Sequence, residues 1–202
     1  MTDRPITMSA DSVRAILDGR KTQTRRVIVP QPAPNSEIVG YGTHAVFSDG
    51  TKVKCPYGRG IHAKGDRLWV KEQYRLVNDI GYSEWDTFNY VEYRAEPSYV
   101  ALSKPFGIKK ELFRPGWKSS RFMRREYSRI LLEITDVQPE KLQDISDEDI
   151  VREGVPNGSY AHGYRRGVYQ ELWDRLNAKR GYLWSSNPWV WAIEFKRVEE
   201  QR

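Results

Sequence analysis

A cluster of hydroxyl and basic side chains lies near the start of the chain, in the run GRKTQTRR. Lys21, Thr22, Thr24, Arg25 and Arg26 fall within six consecutive residues. A threonine hydroxyl is a weak nucleophile unless a base removes its proton, and a lysine can be that base only if burial or a neighbouring cation lowers its pKa. The two arginines could be that cation. Catalysis would also need a carboxylate from elsewhere, to orient the ammonium group or to protonate a leaving amine.

The same cluster also has a purely structural explanation. Cations near the C-terminus of a helix interact favourably with the helix dipole. Threonine is β-branched and is common at the start of a strand. On spacing alone, the structural explanation is favoured over catalysis.

The cluster is expected to lie between a helix and a strand. Apolar residues recur at helical spacing from about Ala10 to Asp18, which predicts a helix, and Gly19 suits the left-handed position that ends one. A short strand is predicted before this helix, at residues 5–9. A second strand, at residues 25–29, should follow the cluster and end at Pro30.

Sheet patterns dominate the next part of the chain. The run AVFSDGTKVKC predicts a hairpin over residues 43–55 with its turn at Asp49–Gly50. A Gly-Asp turn then leads into a strand that contains Trp69. Residues 76–100 have little periodicity, so they are predicted to form one irregular insertion together with the segment that follows them.

Three further elements are predicted in the second half. Residues 128–137 are rich in β-branched and aliphatic residues, which predicts a strand covered on both faces. Residues 168–179 have helical periodicity, and residues 189–196 alternate as a half-buried strand does. This mixed order without a strand–helix–strand repeat favours an α+β fold, a small β-barrel with helices packed around it, over a doubly wound sheet.

A short acidic helix is predicted between these elements. Ser146 followed by Asp149 is a capping-box pattern, so the helix should begin after Ser146. It should run to about Glu153 and end at Gly154. Because the start of the helix is defined, the direction of the Glu153 side chain on it is defined as well.

Composition indicates a folded protein with no membrane-spanning segment. Of 202 residues, 39% are hydrophobic and 30% charged, and no apolar run approaches the roughly 20 residues needed to cross a bilayer. The N-terminus has no apolar signal segment, so a cytoplasmic location is expected. Cys55 is the only cysteine, and His44, His62 and His162 are far apart, so neither a metal nor a cofactor is expected. A monomer is expected, although the sequence does not determine oligomeric state.

Basic charge is concentrated in one stretch. Residues Lys104 to Arg129 include nine Lys or Arg against two Glu, a local charge of +7, while the whole chain carries +6. Interleaved aromatics and cations suit phosphate contact and base stacking. The alternative is an insertion whose aromatics fill a small core and whose cations face solvent. The candidate nucleic-acid-binding residues are Lys109, Lys110, Arg114, Lys118, Arg121, Arg124 and Arg125.

The opening cluster resembles the signature of the ASCH superfamily, whose members are PUA-like small β-barrels. In that family a Gly-x-Lys-x-x-Glu-x-Arg pattern follows the first helix. Here Gly19, Lys21 and Arg26 match the pattern, and Thr24 stands where most members have Glu. The threonine form is typical of the subgroup that resembles bacterial N4-acetylcytidine amidohydrolase. The segments KGDRLWV, ITDV, LQDI and VWAIEF also resemble the superfamily, and the longer form resembles members common in phages and prophages.

The resemblance implies a fold and a domain organisation. The chain would be a single domain over residues 1–202, a PUA-like mixed β-barrel with flanking helices. Insertions at about 30–60 and 76–127 have no counterpart in the short amidohydrolases. The second insertion is large and contains most of the basic stretch.

The resemblance also implies an activity. In the amidohydrolase subgroup, catalysis is assigned to the motif lysine, the motif threonine and a glutamate in the later helix, which correspond to Lys21, Thr24 and Glu153. The implied reaction is metal-independent removal of the acyl group from a modified pyrimidine nucleoside such as N4-acetylcytidine, free or within RNA or DNA. Lys21 would activate Thr24 or a water molecule, and Glu153 would help protonate the departing amine.

Four further residues are candidates for binding the substrate. Attack on a carbonyl creates an oxyanion, which Arg26 or backbone N–H groups near Gly19 could stabilise. Trp69 and Tyr74 could stack on a pyrimidine ring, although aromatics in such positions are more often core residues. Two other functions stay open: a non-catalytic RNA- or DNA-binding module that reads a modified base, and a ribonuclease.

Overall fold

The computed structural model describes residues 3–55, 65–80, 87–96, 99–101, 116–156 and 164–198. The strands are β1 (Asp3–Thr7), β2 (Gln23–Val27), β3 (Ile38–Tyr41), β4 (His44–Phe47), β5 (Lys52–Lys54), β6 (Arg67–Lys71), β7 (Tyr74–Ile80), β8 (Thr87–Tyr93), β9 (Tyr99–Ala101), β10 (Leu131–Lys141) and β11 (Trp189–Val198). The helices are α1 (Ala10–Leu17), α2 (Asp147–Arg152) and α3 (Tyr164–Asn177). Short 3-10 turns occupy Ser120–Phe122, Arg125–Tyr127, Leu142–Asp144, Ala178–Arg180 and Trp184–Ser186.

The largest sheet has five strands in the order β1-β6-β10-β11-β2. Its centre is the long antiparallel pair of β10 and β11, and β1 joins β6 in parallel at one edge. Two further sheets, β3-β4-β5 and β7-β8-β9, have three strands each. The predicted mixture of helices and sheets is confirmed. In the described ranges the strands form three separate sheets and do not close into a barrel, so the predicted small β-barrel is matched only as a mixed α+β arrangement.

Strand β11 is buried on both faces along its first half, so the prediction of a half-buried strand is wrong there. Trp189, Trp191 and Ile193 pack into the main core. Val190, on the opposite face, packs into a second cluster with Trp173 of α3. Because β11 lies between β10 and β2, with helices behind it, neither face of this half reaches solvent.

The predicted hairpin over residues 43–55 is confirmed. β4 pairs with β5, and the turn is closed by Phe47, whose N–H donates to the carbonyl of Thr51 at 2.9 Å. Asp49 fixes the loop by accepting hydrogen bonds from the backbone N–H groups of Ala33 and Thr51. The Phe47 ring then packs edge-to-face on Trp189 with centroids 4.9 Å apart, so this segment belongs to the main core.

Residues 74–101 are regular in the parts that the structure describes, and the prediction of an irregular insertion is wrong there. β7 pairs with β8 over seven residues, and β9 adds a third strand. Tyr74, Val91 and Tyr93 form a small core with Met123 and Tyr127 from the basic stretch. On each of β7 and β8 the residues of this small core stand two positions apart, so they share one face of the sheet.

All three predicted helices are present. The Ser9 side chain caps α1 and the Ser146 side chain caps α2, and each accepts a hydrogen bond from a first-turn N–H. α3 begins at Tyr164, four residues before the predicted start, and its last apolar position, Leu176, is 53% exposed. None of the helices in the described ranges is both long enough and apolar enough to span a membrane.

Candidate active site

A cavity of about 470 Å³ opens where the start of α1, strand β2 and helix α3 meet. Its wall combines the backbone before α1, the polar side chains of β2 and the aromatic side of α3. Ser120 and Gln73, from the segments beside the β7 sheet, complete the rim. The residues that carry its chemistry are Lys21, Thr24, Arg25, Arg26, Glu153 and Tyr169.

Lys21 is held in the turn that leaves α1. Its backbone N–H and that of Arg20 both donate to the Ala15 carbonyl, at 2.9 and 2.8 Å. The next residue, Thr22, donates to the Arg152 carbonyl and accepts from Phe195 N–H, each at 2.9 Å. The turn is therefore tied to the end of α2 and to β11, which places the Lys21 side chain beside the residue that caps the C-terminus of α2.

Glu153 comes to this point because α2 stops there. It is the C-cap of α2, and Gly154 follows with φ of +93°. The Lys21 ammonium donates to Glu153 Oε2 and to the Glu153 backbone carbonyl, both at 2.6 Å. The side chains of Lys21 and Glu153 are only 3% and 5% exposed. The two residues thus form a buried, charge-assisted hydrogen bond in the cavity wall.

The surroundings of Lys21 lower the pKa of its ammonium group. Burial lowers the pKa of the Lys21 ammonium, and the positive charges of Arg26 and Arg25 lower it further. Glu153 acts in the opposite direction, by charge and by hydrogen bonding, without cancelling the effect of burial. A lowered pKa is the direction of shift that a lysine acting as a general base requires.

Arg25 binds several acceptors at once. Its fully buried side chain donates to Glu140 at 2.5 Å, to Gln23 at 2.9 Å, to Glu153 Oε1 at 3.3 Å and to Asp149 at 3.4 Å. Its guanidinium thus joins β2, β10 and α2. Because its donors are used in this way, Arg25 orients Glu153 and adds positive charge near Lys21, and it is poorly placed to hold a ligand.

Tyr169 of α3 is a part of the site that the sequence did not reveal. Its hydroxyl donates to Glu153 Oε1 at 3.3 Å. Burial and the nearby charge of Glu153 raise the pKa of Tyr169 well above 10, so it remains a proton donor at neutral pH. Arg25 and Tyr169 therefore hold one carboxylate oxygen of Glu153, and Lys21 holds the other. The helical periodicity identified Tyr169 only as a core residue.

Thr24 and Arg26 reach the cavity from neighbouring positions of β2. Thr24 pairs with Ile193 of β11 and is 5% exposed. No hydrogen bond to the Thr24 hydroxyl is found within the described ranges, so the hydroxyl is available to a ligand. Arg26 lines the cavity and donates from Nη2 to the Thr7 carbonyl at 2.6 Å.

Three predicted substrate-binding residues do not line the cavity. Gly19 ends α1 with φ of +72° and is exposed. Trp69 is buried beneath Lys71, and Tyr74 is 3% exposed, with its hydroxyl donating to the Phe122 carbonyl at 3.0 Å. Both rings are committed to packing within the protein, which explains why they do not face a ligand. The aromatic wall is formed by Tyr169 and by Trp173 instead.

The predicted nucleic-acid-binding residues divide into two groups. Lys109, Lys110 and Arg114 lie outside the described residues. Of the others, Arg124 pairs with Glu126 at 3.5 Å and Arg125 pairs with Asp3 at 3.4 Å. Lys118 and Arg121 form no ion pair within the described ranges and lie within two residues of Ser120, which lines the cavity.

Comparison of the chain with protein-family models, with curated proteins and with solved structures found no match. Within the described residues there is also no group of three or more His, Cys, Asp and Glu side chains that could hold a metal ion. The geometry of the cavity and the residues of the GRKTQTRR run within it are therefore the features that bear on function.

Proposed function

We propose that this cavity hydrolyses the amide that joins an acyl group to the exocyclic amine of a modified pyrimidine, with N4-acetylcytidine as the reference substrate. The observation that carries the proposal is the 2.6 Å contact between Lys21 Nζ and Glu153 Oε2, buried in the wall that also contains Thr24. The resemblance of the GRKTQTRR run to the amidohydrolase subgroup of the ASCH superfamily supports it.

The lysine and the glutamate suit the two proton transfers of amide hydrolysis. In the proposed cycle Lys21 first gives up a proton, and Glu153 Oε2, 2.6 Å from Lys21 Nζ, is the acceptor within reach. The amine then takes a proton from Thr24 or from a water molecule, and the oxygen so activated attacks the acyl carbonyl. Glu153 returns its proton to the exocyclic nitrogen as the carbon–nitrogen bond breaks. If Thr24 attacks, water hydrolyses the acyl-threonine in a second step.

Arg26 is the best-placed group for the oxyanion that forms during attack. It lines the cavity next to Arg25 and two residues after Thr24. Arg25 is already bound by four acceptors, and Gly19 lies outside the lining. A preorganised cation in a site that excludes water stabilises developing negative charge more than it would in bulk water.

The size and lining of the cavity fit a small aromatic ligand. A volume of about 470 Å³ falls within the roughly 300–1,000 Å³ usual for small-molecule sites. Tyr169, Trp173 and Leu172 form an apolar side for a base, and the polar side chains of β2 face it.

We also propose that the five-stranded sheet is a variant of the PUA-like barrel and that the protein acts in the bacterial cytoplasm, as its phage-type resemblance implies.

The test is to incubate the protein with N4-acetylcytidine and to follow cytidine release by chromatography. Lys21→Met should abolish release while the protein stays folded by circular dichroism. Lys52→Met, at an exposed lysine of β5, is the matched control and should retain full activity. Full activity of Lys21→Met, or no release by the wild type, would contradict the proposal. Thr24→Val keeps the shape of the side chain but removes the hydroxyl. If this variant still releases cytidine, the nucleophile is water and not Thr24.

A further inference from the structure

An exposed aromatic ring stands beside the cavity among arginine side chains. Trp117 is 40% exposed. The guanidinium carbons of Arg75 and Arg94 lie 5.1 and 6.0 Å from the centroid of its ring. Phe122, five residues further along, is 68% exposed. We call these four residues the Trp117 surface.

The Trp117 surface is continuous with the cavity. Arg94 Nη1 donates to the side-chain oxygen of Gln73 at 3.2 Å, and the backbone N–H of Arg94 donates to the Gln73 carbonyl at 3.0 Å. Gln73 lines the cavity. Ser120, which lies in sequence between Trp117 and Phe122, lines it as well. A ligand in the cavity can therefore extend over the rim onto Trp117.

The segment that presents the two rings is firmly attached to the protein. Lys118 N–H donates to the Tyr74 carbonyl at 2.7 Å, and the Tyr74 hydroxyl donates to the Phe122 carbonyl at 3.0 Å. The Lys71 ammonium donates to the Arg121 carbonyl at 2.5 Å, and Met123 is 2% exposed. Although this anchoring buries the neighbours of Trp117 and Phe122, it leaves the two rings themselves exposed.

The charges around these rings favour a polyanion. Arg75 is balanced by an ion pair with Glu92. Arg94, Lys118 and Arg121 form no ion pair with a carboxylate in the part of the chain that the structure describes. Exposed aromatic rings beside cations that no carboxylate neutralises suit the binding of a single-stranded nucleic acid, because its bases stack on the rings and its phosphates contact the cations. In a duplex the faces of the bases are already stacked and cannot use the rings.

We propose that the Trp117 surface binds single-stranded nucleic acid, so that an acylated base enters the cavity while a neighbouring nucleotide of the same strand stacks on Trp117. This inference rests on the proposed function for the identity of the base in the cavity. According to this inference, the substrate is a modified base within a nucleic-acid strand, whereas the reference substrate N4-acetylcytidine is a free nucleoside.

Binding is tested with fluorescently labelled oligonucleotides of about ten nucleotides, in RNA and DNA forms of one sequence, without any acyl group. Trp117→Ala should weaken binding about 5- to 150-fold, the range for loss of one aromatic stacking platform. Trp117→Phe keeps a ring and should retain most of the affinity. Tyr41→Ala is the matched control, because Tyr41 is 53% exposed on β3 and does not line the cavity. It should bind as the wild type does.

The salt dependence and the duplex form give further readouts. The affinity of the single strand should fall with salt by about 0.7 logarithmic units per phosphate contacted, for each logarithmic unit of salt. Arg94→Gln should reduce that slope. A duplex of the same sequence should bind more weakly than the single strand. Comparison of the RNA and DNA forms then identifies which sugar the surface prefers.

The outcomes separate this inference from the proposed function. If Trp117→Ala binds the single strands within twofold of the wild type, or if the duplex binds more tightly, the inference is wrong whether or not N4-acetylcytidine is hydrolysed. If binding depends on Trp117 but no substrate releases its acyl group, the strand-binding surface stands and the proposed chemistry fails. When both hold, Trp117→Ala should lose more kcat/KM on an acetylated oligonucleotide than on the free nucleoside.

Discussion

Gly154 is the position at which a single methyl group should disturb both the fold and the candidate active site. Its φ is +93°, a region that residues with a Cβ rarely adopt. A Cβ at this position would lie 2.9 Å from Ala15 Cβ of α1 and 3.2 Å from Lys21 Cβ. Gly154→Ala therefore adds backbone strain and also forces apart α1 and the turn that holds Lys21.

The two contributions can be estimated separately. An alanine in the left-handed region costs about 1–2 kcal/mol, and one extra methyl in a packed site costs about 1–3 kcal/mol. Gly154→Ala should therefore lower the free energy of unfolding by about 2–5 kcal/mol. Gly181→Ala is the matched control, because Gly181 has φ of +84° and a Cβ there would meet no atom of the described residues within 4 Å, its chain neighbours aside. That variant should lose only the first contribution.

A double-mutant cycle identifies the clashing atom. Ala15→Gly alone should cost about 1 kcal/mol through its weaker helix propensity. Combined with Gly154→Ala, it removes the methyl at 2.9 Å, so the double variant should be more stable than the sum of the single effects by about 1–3 kcal/mol. Free energies are measured by urea unfolding at fixed pH. Equal losses for Gly154→Ala and Gly181→Ala, together with additive effects in the cycle, would refute this reasoning.

Two further predictions concern the ionisable groups of the site. Because burial lowers the pKa of Lys21 below its ordinary 10.5, the unfolded chain holds more protons there between the two pKa values. The unfolding free energy of the wild type should therefore rise with pH across that window relative to Lys21→Met, and identical pH slopes in urea unfolding would contradict this. Tyr169→Phe removes the hydroxyl that donates to Glu153 at 3.3 Å and should cost about 0.5–1.5 kcal/mol. It should also lower turnover of N4-acetylcytidine, and unchanged stability with unchanged turnover would show that this hydrogen bond is unimportant.

The elements whose ends depend on neighbouring residues were predictable from the sequence. α2 begins after Ser146, as its cap pattern indicates, and ends at Arg152 with Glu153 as its C-cap, one residue before the predicted end, because both caps involve atoms only a few residues apart. The hairpin turn at Asp49–Gly50 is local in the same way. The strands β7 and β8 were missed although their core residues alternate. Val77 and Tyr90, which pair with each other on the opposite face, are also apolar or aromatic, and this obscures the alternation in the sequence.

The candidate site was predictable only in part, because its members come together through tertiary contacts. The motif and its resemblance pointed to Lys21, Thr24 and Glu153, and all three line one cavity. The hydroxyl of Tyr169 could not be found from helical periodicity, which treats the ring as an apolar side chain. Trp69 was a candidate because of its ring alone, and its burial depends on packing that a strand pattern does not describe.

The charges buried around Glu153 fit the proposed hydrolysis, and stability alone does not call for them. Bringing a charge into the protein interior costs several kcal/mol, and a buried ion pair is often no more stabilising than apolar residues of the same volume. Here Lys21 and Arg25 are both buried against the carboxylate of Glu153. All three residues line the cavity that Thr24 also lines. An arrangement that served folding alone would have no need of that cavity. Burial lowers the pKa of Lys21, which is the direction of shift that its proposed role as a base requires.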